Sequence, residues 1–223
     1  MNYCFDCAQH RRQFFDQAAV DWDALEVEET HVRLREIVAG LGIAPGAVVL
    51  DMGCGTGVLL PILHENTNGN GHVVALDLSR EMLKRALSKE QPAVYVQGDA
   101  ESLPLPEGVF DWVLCNAVFP HFPDKSRALA EIRRVLRAGG HLVICHTASR
   151  QAINEFHRSV GGVVAHDTIP DEGEMLRLLQ EAGLVEVQMR DEPDRYLVLA
   201  CRKRKQSVTG GRDVHTVEAK GTR

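Results

Sequence analysis

The stretch VVLDMGCGTG at residues 48–57 decides the fold. Its first half is a short apolar run of the kind that forms a buried strand, and its second half is rich in glycine. Glycine lets a backbone turn tightly and approach a ligand closely, and the helical pattern at about residues 58–66 would begin with unpaired amide groups. The stretch therefore predicts a strand, a ligand-binding turn and a helix.

The spacing of the glycines limits the ligand. A dinucleotide-binding turn, G-x-G-x-x-G, would need glycine at position 58, which is Val58, and no Gly-Lys-Ser/Thr phosphate-binding sequence follows. Both observations argue against a nucleotide-dependent oxidoreductase. Asp51 instead stands two residues before Gly53, and an acid there disfavours a pyrophosphate and favours a cation. S-adenosylmethionine, with its ammonium and sulfonium groups, has the matching charge.

Apolar runs and helical patterns alternate along the middle of the chain, which is typical of a parallel sheet covered by helices on both faces. Ser79 is the predicted N-cap of the second helix, and Gly139-Gly140 are predicted to end the third. The predicted strands are residues 48–50, 73–76, 94–96, 112–115 and 142–145, and the predicted helices are about 58–66, 80–90 and 124–137.

The two ends of the chain have other patterns. Residues 1–40 show helical spacing, and residues 171–182 read as a further helix. Residues 184–189 and 196–201 predict an antiparallel hairpin on the sheet edge, and residues 206–223 have too few apolar residues to pack, which predicts a disordered tail. Aromatic residues concentrate near the N-terminus, at Tyr3, Phe5, Phe14, Phe15 and Trp22.

Three acids stand where predicted strands end. Asp51 follows the first strand, Asp77 closes the second, 20 residues after Gly57, and Asp99 closes the third. An acid at the end of the second strand hydrogen-bonds ribose hydroxyls in related folds, and ligands of open α/β sheets sit beyond the carboxyl ends of the strands. We therefore expect the three acids to line one crevice.

With these motifs in place, the sequence resembles the class I, Rossmann-like methyltransferases, particularly the methyltransferase-11 group that includes menaquinone and ubiquinone C-methyltransferase-like proteins. Ala138 departs from the proline that the family often has. The matching residues are Asp51–Gly57, Ala75–Ser79, Met82-Leu83, Gly98–Ala100, Leu103-Pro104, Phe110-Asp111 and Arg134–Gly140.

The resemblance implies a doubly wound α/β fold with a seven-stranded, mostly parallel sheet of order 3-2-1-4-5-7-6, the last strand antiparallel, and an N-terminal helical extension. We divide the chain accordingly into a helical cap or lid at 1–44, a cofactor-binding methyltransferase domain at 45–205 and the tail. The implied activity is methyl transfer from S-adenosylmethionine to a small molecule that the motifs do not identify. A catalytically silent protein that binds the cofactor for regulation is the alternative.

The resemblance also implies roles for residues of the cofactor site. Asp51 would face the ammonium group, Asp77 the ribose and Asp99 the adenine amino group, while Met82 and Ala100 would flank the adenine ring. The remaining implied cofactor contacts are Gly53, Cys54, Gly55, Gly57, Leu78 and Asn116, the glycines and Asn116 at the methionine part.

Histidines are the candidates for a catalytic base. Methyl transfer depends mainly on alignment, and a base is needed only where the acceptor carries a proton of high pKa. His121 follows the fourth strand and His146 ends the fifth, so both are candidates; a cofactor-site or packing role for His121 is the alternative. Together with His157 and His166 they could form a base relay or bind a metal, or be solvated loop histidines.

The cysteines suggest little chemistry. The cluster Cys4-x-x-Cys7-x-x-His10 would need a fourth ligand to hold zinc, and its spacing also fits one face of a helix. Cys115 and Cys145 belong to apolar runs and are expected to be buried thiols. We predict no metal site.

The charge and the hydropathy of the sequence limit the kinds of partner that we expect the protein to bind. The chain carries a net charge of −6, with +5 in residues 202–223 and therefore −11 in the rest. An acidic body repels nucleic acid, and no apolar run approaches the roughly 18 residues that span a bilayer. The expectation is a cytoplasmic protein with a small-molecule partner, whose residues 1–30 and 148–170 close over the methyl group from opposite sides.

Overall fold

The computed structural model describes residues 5–25 and 27–204. One seven-stranded sheet has the order β3-β2-β1-β4-β5-β7-β6, as predicted. The first five strands in the order are mutually parallel, and β7 runs antiparallel to both β5 and β6. The strands are β1 (Val48–Met52), β2 (His72–Asp77), β3 (Val94–Gln97), β4 (Phe110–Asn116), β5 (Leu136–His146), β6 (Leu184–Glu192) and β7 (Arg195–Arg202).

Within residues 5–25 and 27–204, seven α-helices accompany the sheet, two of them before its first strand. They are α1 (Phe5–Ala18), α2 (Glu28–Ala39), α3 (Leu60–Asn66), α4 (Arg80–Ser88), α5 (Lys125–Val135), α6 (Arg150–Val160) and α7 (Glu172–Glu181). Short 3-10 helices occupy Trp22–Leu25, Phe119–His121 and Gly162–Val164. No helix among residues 5–25 and 27–204 is long and apolar enough to cross a membrane. Cys4 and the predicted tail lie outside the described residues.

The sheet has a hydrophobic core on each face, because its central strands are apolar on both sides. Leu50 of β1 faces the cluster built with α5 and α7, whereas its neighbour Val49 faces the cluster built with α2 and α3. Alternate residues of one strand therefore serve opposite layers. This division explains why the strands read as continuous apolar runs.

Two local predictions had different outcomes. The Ser79 side chain accepts a hydrogen bond from the Met82 amide, which confirms the predicted N-cap. The prediction that Gly139-Gly140 end a helix was wrong, because α5 ends at Val135 and both glycines lie inside β5. A Cβ at Gly140 would lie 2.8 Å from the Phe110 carbonyl oxygen, so glycine is needed where β5 passes close to β4.

Residues 148–170 contain a helix that the sequence reading missed. Ser149 caps α6 by accepting a hydrogen bond from the Ala152 amide, and Gly161 follows its end with a positive φ of 73°. The glycines and histidines of this segment are typical of a loop, which hid its helical spacing. The segment is therefore a helix followed by a short 3-10 turn.

We expect Leu129→Ala in α5 to lower the free energy of unfolding by about 2–5 kcal/mol, because it leaves a cavity in a fully buried layer. The matched control is Leu87→Ala in α4, where the side chain is 58% exposed and the expected loss is about 0.5 kcal/mol or less. Urea denaturation of both variants measures the difference. Equal losses would contradict this placement of the core.

Candidate functional site

The glycine loop is tied to the neighbouring strand at the carboxyl edge of the sheet. Directly after β1, the amides of Gly53 and Cys54 donate to the Leu76 carbonyl of β2, at 2.7 and 3.0 Å. Gly53 has a φ of 73°, and a Cβ there would lie 2.3 Å from a methyl carbon of Val118. Only glycine allows the loop to pass this close to the segment after β4.

Asp77 holds the loop in place from the end of β2. One carboxylate oxygen accepts from the Gly55 amide at 2.9 Å, and the other accepts from the Ser79 amide at 2.8 Å. Burial raises the pKa of Asp77 to about 6, although these hydrogen bonds oppose the rise. The same side chain thus orders both the glycine loop and the start of α4.

Asp51 is buried near the end of β1, and one of its carboxyl oxygens lacks a hydrogen-bond partner among the described residues. Its Oδ2 atom has no hydrogen-bond partner among the described residues, and burial, with a contribution from Asp77, raises the pKa of Asp51 to about 8. A buried carboxylate without a partner is unfavourable. A cation placed beside it would favour the ionised form.

A cavity of about 1200 Å³ opens beside the glycine loop. Asp51, Gly57 and His146 do not line it. Ten of the residues predicted as cofactor contacts or bases do line it, namely Gly53, Cys54, Gly55, Asp77, Leu78, Met82, Asp99, Ala100, Asn116 and His121. The three acids therefore do not all reach the cavity wall, and Asp51 stands behind it.

The N-terminal segment is fastened to the loop and to α4 by two acids. Asp16 of α1 accepts from the Ser79 hydroxyl at 2.6 Å and from the Glu81 amide at 3.2 Å. Asp23 accepts from the Thr56 hydroxyl at 2.6 Å and from Lys89 at 2.9 Å. Sequence reasoning missed these contacts, because their partners lie 33 to 66 residues apart and form no motif.

Apolar side chains surround the far end of the cavity. Phe14 and Phe15 of α1 line it from one segment, and Phe156 and Val160 of α6 line it from the other. The Phe15 ring meets His121 edge to face, with the ring centroids 5.1 Å apart. Both segments predicted to form a lid thus contribute to the wall of the cavity.

Three of the four candidate histidines are buried, so the reading of solvated loop residues was wrong for His121, His146 and His157 and holds only for His166. The rings of His121 and His157 lie 4.8 Å apart. His166 lines a separate, smaller depression with Arg158. Within the described part of the chain, no group of three or more His, Cys, Asp or Glu side chains could hold a metal ion.

His146 lies outside the cavity wall. Burial lowers its pKa to about 3, with further lowering from His121 and His157, and its Nε2 atom has no hydrogen-bond partner among the described residues. The ring is therefore neutral at ordinary pH. A direct contact between His146 and a bound molecule has no support in this geometry, and its catalytic role stays a prediction.

Sequence reasoning also missed two charged residues at the histidines. Asp167 lies 2.6 Å from Nδ1 of His121, and Arg11 of α1 pairs with the same carboxylate. The three residues are far apart in the chain and form no recognisable motif. The structure alone brings them together.

The cysteines in the described core are buried thiols. Burial raises the pKa of Cys145 to about 12 and that of Cys54 well above its ordinary value. Neither is poised to ionise, which agrees with a packing role. The Cys4 and Cys7 side chains lie outside the described residues, and His10 is exposed.

Comparison with known sequences shows which family the middle of the chain matches. Residues 50–144 match the family described as "Methyltransferase domain". An uncharacterised 37.1 kDa protein in a transposon of Streptomyces fradiae is 42% identical over 47% of this chain and 31% of its own length. A demethylmenaquinone methyltransferase of Symbiobacterium thermophilum is 34% identical over 64% of this chain and 60% of its own length.

This chain contains a class I S-adenosylmethionine-dependent methyltransferase domain. A solved structure supports the fold: an S-adenosylmethionine-dependent methyltransferase from Aquifex aeolicus superposes with a TM-score of 0.63 and 23% identity, over 76% of this chain and 89% of the other. The chain spans less than two thirds of the length of the two curated relatives above.

The residues present fit the family's cofactor, S-adenosylmethionine. The unpartnered Oδ2 of Asp51 calls for a positive charge, and the cofactor carries an ammonium group. Gly53, which has a positive φ and no room for a Cβ beside Val118, brings the backbone of the loop to the cavity wall. Asp77 offers carboxylate acceptors at the cavity wall, beside the end of β2.

Replacing Asp77 should weaken binding of S-adenosylhomocysteine, the demethylated cofactor. The Asp77→Ala variant loses two charge-assisted acceptors, which corresponds to about 2–4 kcal/mol or a 30- to 1000-fold rise in Kd. Calorimetry measures it, with Asp194→Ala in the β6–β7 turn as the matched control. An unchanged Kd in a folded Asp77→Ala variant would contradict the assignment.

The buried Asp51 should make the ligand-free protein less stable as pH rises. Its folded-state pKa, about 8, lies above the ordinary value of 3.8, so its contribution is fully present below pH 4 and is lost as pH rises through 8. Affinity for S-adenosylhomocysteine, with its ammonium group, should rise over the same interval. Thermal melts and binding titrations between pH 6 and pH 8 test both trends. The Asp51→Asn variant should show a weaker dependence of stability and of affinity on pH. Equal pH dependence in the variant and the wild-type protein would refute the explanation.

Proposed function

We propose that this protein transfers a methyl group from S-adenosylmethionine to an apolar, planar small molecule that bears a hydroxyl group, of the hydroquinone class. The observation that carries the proposal is one cavity that runs from the glycine loop to an aromatic chamber containing His121. The relative described as a demethylmenaquinone methyltransferase supports this acceptor class.

The size of the cavity supports binding of two molecules. Pockets for one drug-sized ligand measure roughly 300–1000 Å³, and this one is about 1200 Å³. In the proposal the loop end takes the cofactor, with Asp77 at the ribose, Asp99 at the adenine amino group and Asp51 behind the ammonium group. The aromatic end remains for the acceptor.

The aromatic end suits a flat apolar ring. Phe14, Phe15 and Phe156 offer faces and edges against which a ring can stack, and Val164 closes the chamber beside them. The chamber therefore favours an aromatic compound with a polar edge directed at His121.

His121 is the proposed base. When bound, S-adenosylmethionine supplies an electrophilic methyl group whose bond to sulfur breaks with the electron pair leaving on sulfur. His121 takes the hydroxyl proton as the adjacent ring carbon bonds to the methyl carbon. The hydrogen of that ring carbon then leaves as a proton to a water molecule, and the oxygen regains a proton from His121, so that one proton is released in total.

Residues 1–44 are proposed to act as a lid. Asp16 and Asp23 hold this segment against the cofactor loop, while Phe14 and Phe15 reach the acceptor chamber. A segment with contacts at both ends of the cavity can exclude water from the reacting groups and align them.

The test uses 1,4-naphthohydroquinone as the probe, under anaerobic conditions, with S-adenosylmethionine. We expect a product heavier by one methyl group, and His121→Gln should lower kcat by about 10²- to 10⁴-fold while leaving affinity for S-adenosylhomocysteine unchanged. The control is His166→Gln, at an exposed histidine outside the cavity.

Two results would count against the proposal. Absence of product, with tight cofactor binding intact, would reject the hydroquinone class and favour a silent cofactor-binding protein or a different acceptor. Full activity in the His121→Gln variant would reject His121 as the base.

A further inference from the structure

We infer that Asp167 is a positioning residue that fixes the ring of His121 with its lone pair on Nε2, and that Arg11 makes this arrangement depend on the docking of α1. The inference rests on the proposed function for the role of His121 as a base. It adds the two residues that hold the base and the segment that controls it.

Asp167 is held rigidly between the short 3-10 helix at Gly162–Val164 and α7. Its amide donates to the Val164 carbonyl at 3.0 Å, and the residue is buried. One carboxylate oxygen lies 2.6 Å from Nδ1 of His121 and also accepts from Arg11; the other accepts from the second Arg11 amino group at 3.0 Å. Arg11 therefore binds the carboxylate with both ends of its guanidinium.

This carboxylate is ionised in the folded protein. Burial opposes its charge, but hydrogen bonds from His121 and Arg11 outweigh burial and hold the pKa of Asp167 below its ordinary value. An ionised carboxylate can only accept hydrogen bonds, so Nδ1 of His121 must carry the hydrogen. A neutral His121 ring then has its lone pair on Nε2.

The His121 ring stays neutral because its surroundings disfavour a second proton. Burial is the largest effect that lowers its pKa; Asp167 opposes the shift, whereas His157 of α6 and Arg11 of α1 add to it. His146 of β5 interacts with both rings, and Lys125 of α5 interacts with Asp167 and Arg11. At neutral pH the ring can therefore accept a proton rather than donate one.

His157 provides an internal reference. Its Nδ1 atom lies 2.7 Å from the backbone carbonyl of Asp167. A carbonyl oxygen only accepts, so Nδ1 of His157 must also carry its hydrogen. This bond does not involve the Asp167 side chain, and it should survive replacement of that side chain.

Arg11 links the network to the lid. It lies on α1, the helix that also places Phe14 and Phe15 in the acceptor chamber. If α1 withdraws, Asp167 loses its guanidinium partner and the Phe15 ring leaves the side of His121. Closing the lid and preparing the base are thus one event.

Long-range proton–nitrogen NMR of the histidine rings tests the inference without any acceptor. In the wild-type protein, His121, assigned through loss of its signals in His121→Gln, should carry its hydrogen on Nδ1. A hydrogen on Nε2 would overturn the inference at once, and this measurement does not depend on how any Asp167 or Arg11 variant folds.

Two substitutions should move His121 in opposite directions. In Asp167→Ala the His121 pKa should fall by about one unit and the Nδ1 preference should be lost, while His157 keeps its hydrogen on Nδ1. In Arg11→Met the His121 pKa should rise, because an opposing cation is gone. The control is Arg12→Met, at the exposed neighbouring position of α1. Shifts of the same sign in both variants, or no shift, would overturn the inference.

Activity gives a separate readout. With 1,4-naphthohydroquinone, Asp167→Ala should lower kcat and leave KM nearly unchanged, since the residue acts through His121. If the wild-type protein does not methylate this probe, the proposed acceptor class fails, and the NMR result still decides the roles of Asp167 and Arg11. An unchanged kcat in Asp167→Ala would overturn the positioning role.

Discussion

The site depends on one carboxylate, that of Asp77, which accepts the Gly55 and Ser79 amides at the end of β2. These bonds fix the glycine loop relative to the residue that caps α4. The loop can lie close to the segment after β4 only because Gly53 has no side chain to meet Val118. The junction of these parallel strands thus forms the wall of the cavity at the glycine loop.

The junction makes ionisation of Asp51 unfavourable in the absence of a ligand. Burial, with a further contribution from the nearby Asp77, raises the pKa of Asp51 to about 8. Burying a carboxylate without a partner opposes folding. A cation beside Asp51, such as the ammonium group of the cofactor, would lower this pKa and favour the ionised form.

The family resemblance predicted the sheet order correctly. Local patterns were enough to predict the acid-led glycine loop and the Ser79 cap, because neighbouring residues determine both. The helix α6 was missed although its spacing is local, because Gly161-Gly162 directly after it are typical of a loop. The pairs Arg11–Asp167 and Asp23–Thr56 could not be predicted from one sequence. Their partners meet only after the chain has folded, and single charged residues on helices are usually solvated.

One partner of each of these long-range polar pairs lies in the segment before the sheet. Asp16, Asp23 and Arg11 all belong to the segment before the sheet, and all three bind groups around the cavity. The two helices of this segment are held differently. Leu34, Ile37 and Val38 of α2 are buried in the core beside α3, as expected of a helix that packs. The contacts of Arg11, Asp16 and Asp23 are polar, and each can be exchanged for water at a modest net cost in free energy. This difference supports the proposal that the part of the segment around α1, rather than α2, opens and closes over the cavity.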